Sequence, residues 1–82
     1  MRPEDVREFL RHQPFQPFRI TLTDGRTYDV MQPELALVGR SFVGVGLARP
    51  GDPERVADRL VRVSLPHIMQ IEPIDSLASQ AG

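Results

Sequence analysis

The sequence predicts a mainly β domain, in which one N-terminal α-helix precedes a small, strongly bent antiparallel barrel of five strands. From Phe18 to Val30, apolar and polar residues alternate on both sides of Asp24-Gly25, a pair typical of two-residue hairpins. Further short runs, separated by turn residues, favour antiparallel pairing of consecutive strands. Gly44 and Gly46 share one face of a predicted strand, which indicates either strong bending or the close approach of another backbone. Bending is the preferred interpretation, because small barrels need it.

The helix is predicted over residues 3–12. Pro3 suits the first helical turn, where its missing N–H costs nothing. An apolar stripe at helical spacing is formed by Val6, Phe9 and Leu10. Pro14 ends the helix, because it disfavours helical geometry at Gln13. A helix this short is marginal alone, so we expect its stripe to dock on the rest of the domain.

The second strand is predicted to break at Gln32-Pro33, because proline cannot donate to a central ladder. It is expected to resume as strand over Glu34–Val38. The remaining strands are predicted at Phe42–Leu47, Asp58–Leu65 and Ile68–Glu72, with a long loop over Ala48–Ala57 and a tight turn, one turn of 3₁₀, at Pro66-His67.

The 82 residues are expected to form one domain over residues 1–74, followed by a small, polar and disordered tail over 75–82. No apolar run approaches the ~18 residues that a membrane-spanning helix needs. No basic-then-apolar segment opens the chain, so we expect neither a secretory signal nor a membrane location, and the cytoplasm is the expected compartment.

Charge and cysteine content exclude several function classes. The ten basic residues are all arginine, and eleven acids interleave with them to leave a net charge of -1. The summed field is therefore weak, which argues against nonspecific nucleic-acid binding as the main role. The absence of cysteine excludes disulfides, thiol catalysis and thiolate zinc sites.

Three arginines are candidates for a phosphate-binding patch: Arg19, Arg26 and Arg62. Each falls on a strand or strand edge that faces water, and arginine's planar fork suits phosphate and carboxylate. They would meet if the first and last strands were neighbours. The alternative is a solvated face, on which these arginines pair with Asp24, Asp29 and Asp58.

His67, at the last turn, is a fourth candidate for contacting RNA. General acid–base chemistry needs a partner within hydrogen-bond reach, so capping of backbone groups or packing of the ring is the preferred interpretation. His12 at the helix end interacts favourably with the helix dipole. Phe15 and Phe18 are interpreted as core residues under the helix rather than as a base-stacking platform.

No nucleophile, base and orienting group can be assembled from this sequence. We therefore predict that the protein is not an enzyme, and that it has no catalytic, cofactor-binding or metal-binding residues.

The order of these elements, with Leu22-Thr23-Asp24-Gly25 at the first hairpin and LPHIMQIEP over residues 65–73, resembles the Sm-like fold, including the bacterial host-factor RNA chaperone. The resemblance covers residues 3–73 and implies RNA binding by a ring of subunits. His67 matches the histidine of that bacterial branch, while Pro66 stands where the branch has lysine. The chain also resembles short uncharacterised bacterial proteins that share a PF-R-LTDGR stretch followed by a Pro-Glu strand.

From these observations we expect a small noncatalytic module for protein interaction or assembly, whose partner is another protein or a second copy bound through an exposed strand edge. The alternative is an Sm-like RNA-binding protein that depends on Arg19 and Arg62. A monomer is favoured over a ring.

Overall fold

A computed structural model describes residues 1–54 and 56–74. The predicted tail over 75–82 lies outside the described residues, so its disorder stays a prediction. The described chain is mainly β with one N-terminal helix, which confirms the predicted fold class at that level. Its elements are α1 (Pro3–Arg11), β1 (Phe18–Leu22), β2 (Thr27–Val30), β3 (Ala36–Val38), β4 (Phe42–Ala48), β5 (Ala57–Ser64) and β6 (Ile68–Pro73).

The strands form two three-stranded antiparallel sheets. In the first sheet, here sheet A, β1 is central and lies between β2 and β6. In the second, sheet B, β4 is central and lies between β3 and β5. Among residues 1–54 and 56–74, no ladder of hydrogen bonds joins the two sheets into a closed barrel.

The first hairpin forms at Asp24-Gly25, as the sequence predicts, but its loop has three residues, Thr23 to Gly25, rather than two. Gly25 has φ +91°, which glycine adopts without steric cost. The turn is closed by two backbone hydrogen bonds, from Gly25 N–H to the Leu22 carbonyl at 2.9 Å and from Leu22 N–H to the Arg26 carbonyl at 2.8 Å. These bonds hold β1 and β2 in the register that sets Ile20 opposite Tyr28.

Several predicted element ends differ by one or two residues in the structure, including both ends of β5 and the last residues of β4 and β6. The helix ends at Arg11 rather than residue 12. The strand expected to resume at Glu34 begins two residues later, because Pro33–Leu35 form a 3₁₀ turn in which Leu35 N–H donates to the Gln32 carbonyl at 3.1 Å. Proline suits the first position of such a turn, since its φ is fixed and its missing N–H is not required there. The last 3₁₀ turn, predicted at Pro66-His67, is present as Leu65–His67 and takes Leu65 out of the preceding strand.

The core lies between the sheets and the helix, with Phe18 at its centre. The Phe9 ring from α1 lies 5.2 Å from the Phe18 ring, and the Phe15 ring from the connector lies 6.1 Å from it, centroid to centroid. Phe15 and Phe18 are therefore core residues under the helix, as predicted. Every buried side chain of the described residues is apolar: Val6, Phe18, Ile20, Leu22, Val30, Val43, Val45, Val63, Leu65 and Ile68. No helix in the described part of the chain is long and apolar enough to cross a membrane.

Replacing Phe18 by alanine should lower the free energy of unfolding by about 3–5 kcal/mol, because it removes a fully buried ring and leaves a cavity that its neighbours cannot fill. Urea denaturation followed by circular dichroism measures the change. The matched control is Met69→Ala, since the Met69 side chain is 58% exposed and its loss should change stability by less than about 0.5 kcal/mol. A loss at Phe18 no larger than that at Met69 would contradict this account of the core.

Candidate functional site

A cleft of about 590 Å³ opens where the β1–β2 turn, the β3–β4 turn and the last 3₁₀ turn come together. It is lined by Leu22, Thr23, Asp24, Arg26, Ser41, Phe42, Arg62, Val63, Ser64 and His67. Three of the four predicted site residues, Arg26, Arg62 and His67, therefore lie around one opening. A larger opening of about 700 Å³, beside residues 49–53, holds none of them.

Arg26 is held at the mouth of this cleft by Asp24. The Asp24 carboxylate accepts a hydrogen bond from the Arg26 backbone N–H at 3.0 Å and another from the Arg26 Nε at 2.8 Å. The backbone bond is the main reason that the pKa of Asp24 lies below its ordinary value. The side-chain bond in turn raises the pKa of Arg26. Much of the Arg26 charge is thus balanced by its own turn.

Arg62 is differently placed. Its guanidinium carbon lies 4.4 Å from the centroid of the Phe42 ring, within the range of a cation–π contact. Within residues 1–54 and 56–74 no carboxylate forms an ion pair with it. The Phe42 ring itself lies against Gly39, where an added Cβ would clash with the ring. Phe42 thus supports a guanidinium whose donors remain available to a carboxylate or a phosphate.

His67 contributes its backbone to the fold and its side chain to the cleft. Its carbonyl accepts a hydrogen bond from the Thr23 N–H at 2.8 Å, which ties the last 3₁₀ turn to the first hairpin. The residue is exposed and lines the opening. His12 lies elsewhere, and its Nδ1 donates to the Pro14 carbonyl at 3.1 Å.

Arg19 is not part of this cleft. It lies on the outer face of sheet A, where its Nε and Nη2 donate to the two oxygens of Asp29 at 2.8 and 3.2 Å. The hydrogen bond to Asp29 is the main cause of the raised pKa of Arg19. The first and last strands are neighbours, as the patch required, but Arg62 lies on β5 in the other sheet. The expected single patch of three arginines is therefore not assembled.

The alternative interpretation, in which the arginines pair with aspartates on a solvated face, is found in part. Asp29 binds Arg19 and Asp24 binds Arg26, as that interpretation expected. The third acid, Asp58, binds Arg49 at 3.2 Å rather than Arg62.

An apolar surface on the outer face of sheet B was not singled out from the sequence. The strand register sets Leu37, Gly44 and Arg62 in one row, and Gly46 beside Leu60 in the next. Leu37 is 68% exposed and Leu60 is 76% exposed. We call this surface the leucine face and define it by Leu37, Gly44, Gly46, Leu60 and Arg62, with Phe42 at its edge.

The glycines of the leucine face allow other groups to approach β4. A Cβ at Gly46 would lie 3.1 Å from the Ala57 Cβ and 3.3 Å from Leu35 Cδ2, which is closer than most real contacts. A Cβ at Gly44 would lie 3.7 Å from Leu60 Cδ1, an ordinary contact. The close approach at Gly46 is thus by side chains and not by another backbone, since the nearest backbone atom, the Leu35 carbonyl oxygen, would lie 3.6 Å from the added Cβ.

Period-two alternation contained the signal for the leucine face. Ala36 and Val38 pack on the core, so Leu37 between them must point away from it. Val61 and Val63 do the same on either side of Arg62, so Leu60 also points outward. Two leucines out of phase with the buried residues of their strands mark an exposed apolar face.

Comparisons of the chain with protein-family models, with curated proteins and with solved structures found no match.

The Asp24 carboxyl should titrate below the ordinary aspartate pKa of about 3.9, as measured by NMR of its side-chain carbon. The stabilisation from its hydrogen bonds is complete above that ordinary value and is lost as pH falls through the lower folded-state pKa. In Arg26→Ala the pKa should rise only part of the way, because the backbone N–H still donates. Arg19→Ala is the control and should leave the Asp24 titration unchanged. An ordinary Asp24 pKa in the native protein would contradict this geometry.

Proposed function

We propose that this chain is a small noncatalytic protein-interaction or assembly module that binds a partner through the leucine face. The observation that carries the proposal is the exposure of Leu37 and Leu60, 68% and 76%, on the same side of one sheet. A large apolar side chain exposed singly is ordinary, but two on one face of a sheet, on either side of glycines that are themselves buried, form a surface that a partner can cover.

The composition of the leucine face supports this function. Arginine and aromatic residues are enriched at protein interfaces and carry much of their binding energy. Here Arg62 is stacked on Phe42 beside the exposed leucines, so its orientation is set before a partner arrives. Preorganisation of this kind lowers the entropy lost on binding.

The charged groups of the described residues also favour binding over catalysis. The displaced pKa values of Arg19 and Arg26 are due mainly to hydrogen bonds within surface ion pairs, and that of Asp24 mainly to a backbone N–H of its own turn. Ion pairs between exposed side chains displace pKa values without any catalytic role.

The proposed fold is a small barrel of the Sm-like or SH3-like kind that carries the leucine face. The proposed location is the bacterial cytoplasm. The break at Pro33 supports a barrel, since β2 and β3 then correspond to one bent strand that passes from sheet A into sheet B. The proposed cytoplasmic location is supported by the sequence alone.

Leu37→Glu should reduce by at least about tenfold the recovery of proteins that the immobilised wild-type chain captures from native bacterial extract, because a carboxylate in the centre of an apolar contact is costly to desolvate. Quantitative mass spectrometry measures the recovery. Met69→Glu is the matched control, since Met69 is also an exposed hydrophobic residue but lies on β6 in the other sheet. Recovery equal for wild type and Leu37→Glu would refute binding through the leucine face.

A second candidate function, Sm-like RNA binding, is favoured by one specific observation: Arg26, Arg62, His67 and Phe42 line one cleft, with Arg62 over the Phe42 ring. Arginine donors and an aromatic ring are the groups that single-stranded RNA recognition uses for phosphates and bases. Arg62 would supply the main phosphate contact, because Arg26 is already bound to Asp24.

If RNA binds in the cleft, Arg62→Gln should weaken the binding of oligouridylate of about 12 nucleotides by tenfold or more. Fluorescence anisotropy over a range of salt should give a slope of log K against log salt of about -1.4, for two arginines on a single strand. Arg19→Gln is the control and should change affinity less than about twofold, because Arg19 lies outside the cleft and is bound to Asp29. Equal effects of the two substitutions would exclude the cleft as the RNA site.

A further inference from the structure

We infer that β5 pairs with β5 of a second copy of this chain, antiparallel about a two-fold axis at Leu60, so that two copies of sheet B become one six-stranded sheet. The inference rests on the proposed function, since it names one partner of the interaction module and the position at which it binds.

The outer edge of β5 is open. Sheet B ends at β5, and β4 is the only described element with which β5 makes extensive contact. All residues from Ala57 to Leu60 are exposed, as are Arg62 and Ser64. A strand edge of this kind presents unpaired N–H and C=O groups that a second strand can bind.

The hydrogen-bond pattern identifies which residues present those groups. Leu65 N–H donates to the Ser41 carbonyl at 2.9 Å, so these two residues form a hydrogen-bonded pair of the antiparallel ladder. Hydrogen-bonded pairs alternate along such a ladder, so Val63 and Val61 also direct their backbone groups toward β4. The N–H and C=O groups of Leu60 and Arg62 therefore point away from β4, to the open edge.

The other strand edges are less suited to pairing. β2 has four residues and β3 has three. The ladder of β6 is interrupted by a register shift at Thr21/Leu22, and the strand ends at Pro73, which has no N–H to donate. β5 has eight residues without proline or lysine, and the register shift in its ladder lies near its first residues, between Leu47 and Ala48. Its edge lacks proline and lysine and is long, although it carries the charged residues Asp58, Arg59 and Arg62.

Charge selects the register. With the axis at Leu60, the two Leu60 residues face each other, and Asp58 of each copy, which also pairs with Arg49 of its own chain, lies opposite Arg62 of the other. An axis at Arg62 would set two arginines opposite each other, and an axis at Asp58 two aspartates, so both are disfavoured. An axis at Val61 would set Arg62 against Leu60 and lose both pairs of opposite charges. Residues 58–62 are thus self-complementary in only one of these registers.

This register also agrees with the backbone pattern. It pairs even-numbered residues with even-numbered residues, so the outward N–H and C=O groups of Leu60 and Arg62 meet outward groups of the second copy. The two Leu60 side chains cover each other on the outer face, while each Leu37, on the far edge strand β3, stays accessible to a different partner. The open edge thus favours a dimer over the monomer that the sequence favoured.

A disulfide trap tests the register directly, because the chain contains no cysteine. In Leu60→Cys the two Cα atoms across the axis would lie about 5.5 Å apart, within the range that a disulfide spans. The matched control is Arg62→Cys, whose two copies would be four residues apart along the ladder, about 13 Å, and beyond that range. Mild oxidation should therefore crosslink Leu60→Cys at least about tenfold faster than Arg62→Cys, as measured by non-reducing electrophoresis. Equal rates, or a faster rate for Arg62→Cys, would overturn the register.

Sedimentation of the full wild-type chain tests the dimer itself. The expected mass is twice 9.3 kDa at high concentration, and Leu60→Asp should raise the dimer dissociation constant at least about tenfold. Leu37→Ser is the control that should leave the dimer intact, and circular dichroism confirms that each variant is folded. A monomer up to about 1 mM would overturn the inference. So would a larger closed ring, which requires β5 to pair with a different edge.

Different results would refute the β5 dimer and the interaction module. If the chain is a monomer but Leu37→Glu still abolishes capture of extract proteins, the dimer is wrong and the interaction module stands. If the Leu60 dimer forms and capture does not depend on Leu37, the dimer is supported and the wider binding role of the leucine face is wrong.

Discussion

The burial of Phe18 is the interaction on which the rest of this structure depends. The side chain is fully buried, and its strand, β1, pairs at that residue with Val30 on one side and Pro73 on the other. The ring also meets Phe9 of the helix and Phe15 of the connector. A nine-residue helix is marginal alone, so it owes its stability to this contact. Through its strand pairing and its side chain, Phe18 thereby joins the helix, the connector and all three strands of sheet A.

The cleft and the leucine face are positioned by segments that connect to this core. The hydrogen bond from Thr23 N–H to the His67 carbonyl brings the first hairpin beside the last 3₁₀ turn, and the cleft opens between them. β5 leads into that same turn, so Arg62 lies both in the cleft and on the leucine face. A partner on the leucine face and an anion in the cleft would therefore compete for Arg62. That position makes Arg62 the residue at which protein binding and RNA binding would exclude each other.

Much of the local structure was predictable, and the misses have identifiable causes. The helix, the Asp24-Gly25 hairpin and the break at Pro33 follow from residues adjacent in sequence. The prediction that a strand begins at Glu34 was wrong, because proline can begin a 3₁₀ turn as well as interrupt a strand. The leucine face was not predicted, although the alternation of buried residues on β3 and β5 places Leu37 and Leu60 on the outer side. Arg19 was placed correctly on a water-facing strand, but its cross-strand partner Asp29 occupies its donors.

The sequence by itself determined which residues face inward and where the chain turns, because side-chain alternation and turn geometry depend only on near neighbours. It did not determine which residues far apart in sequence meet. Arg26 and Arg62 share a cleft and Arg19 does not, because β1 and β5 belong to different sheets. β5 has an open edge because no later described strand pairs with it. Strand order and sheet edges arise from contacts between distant segments, and only the tertiary structure decided them.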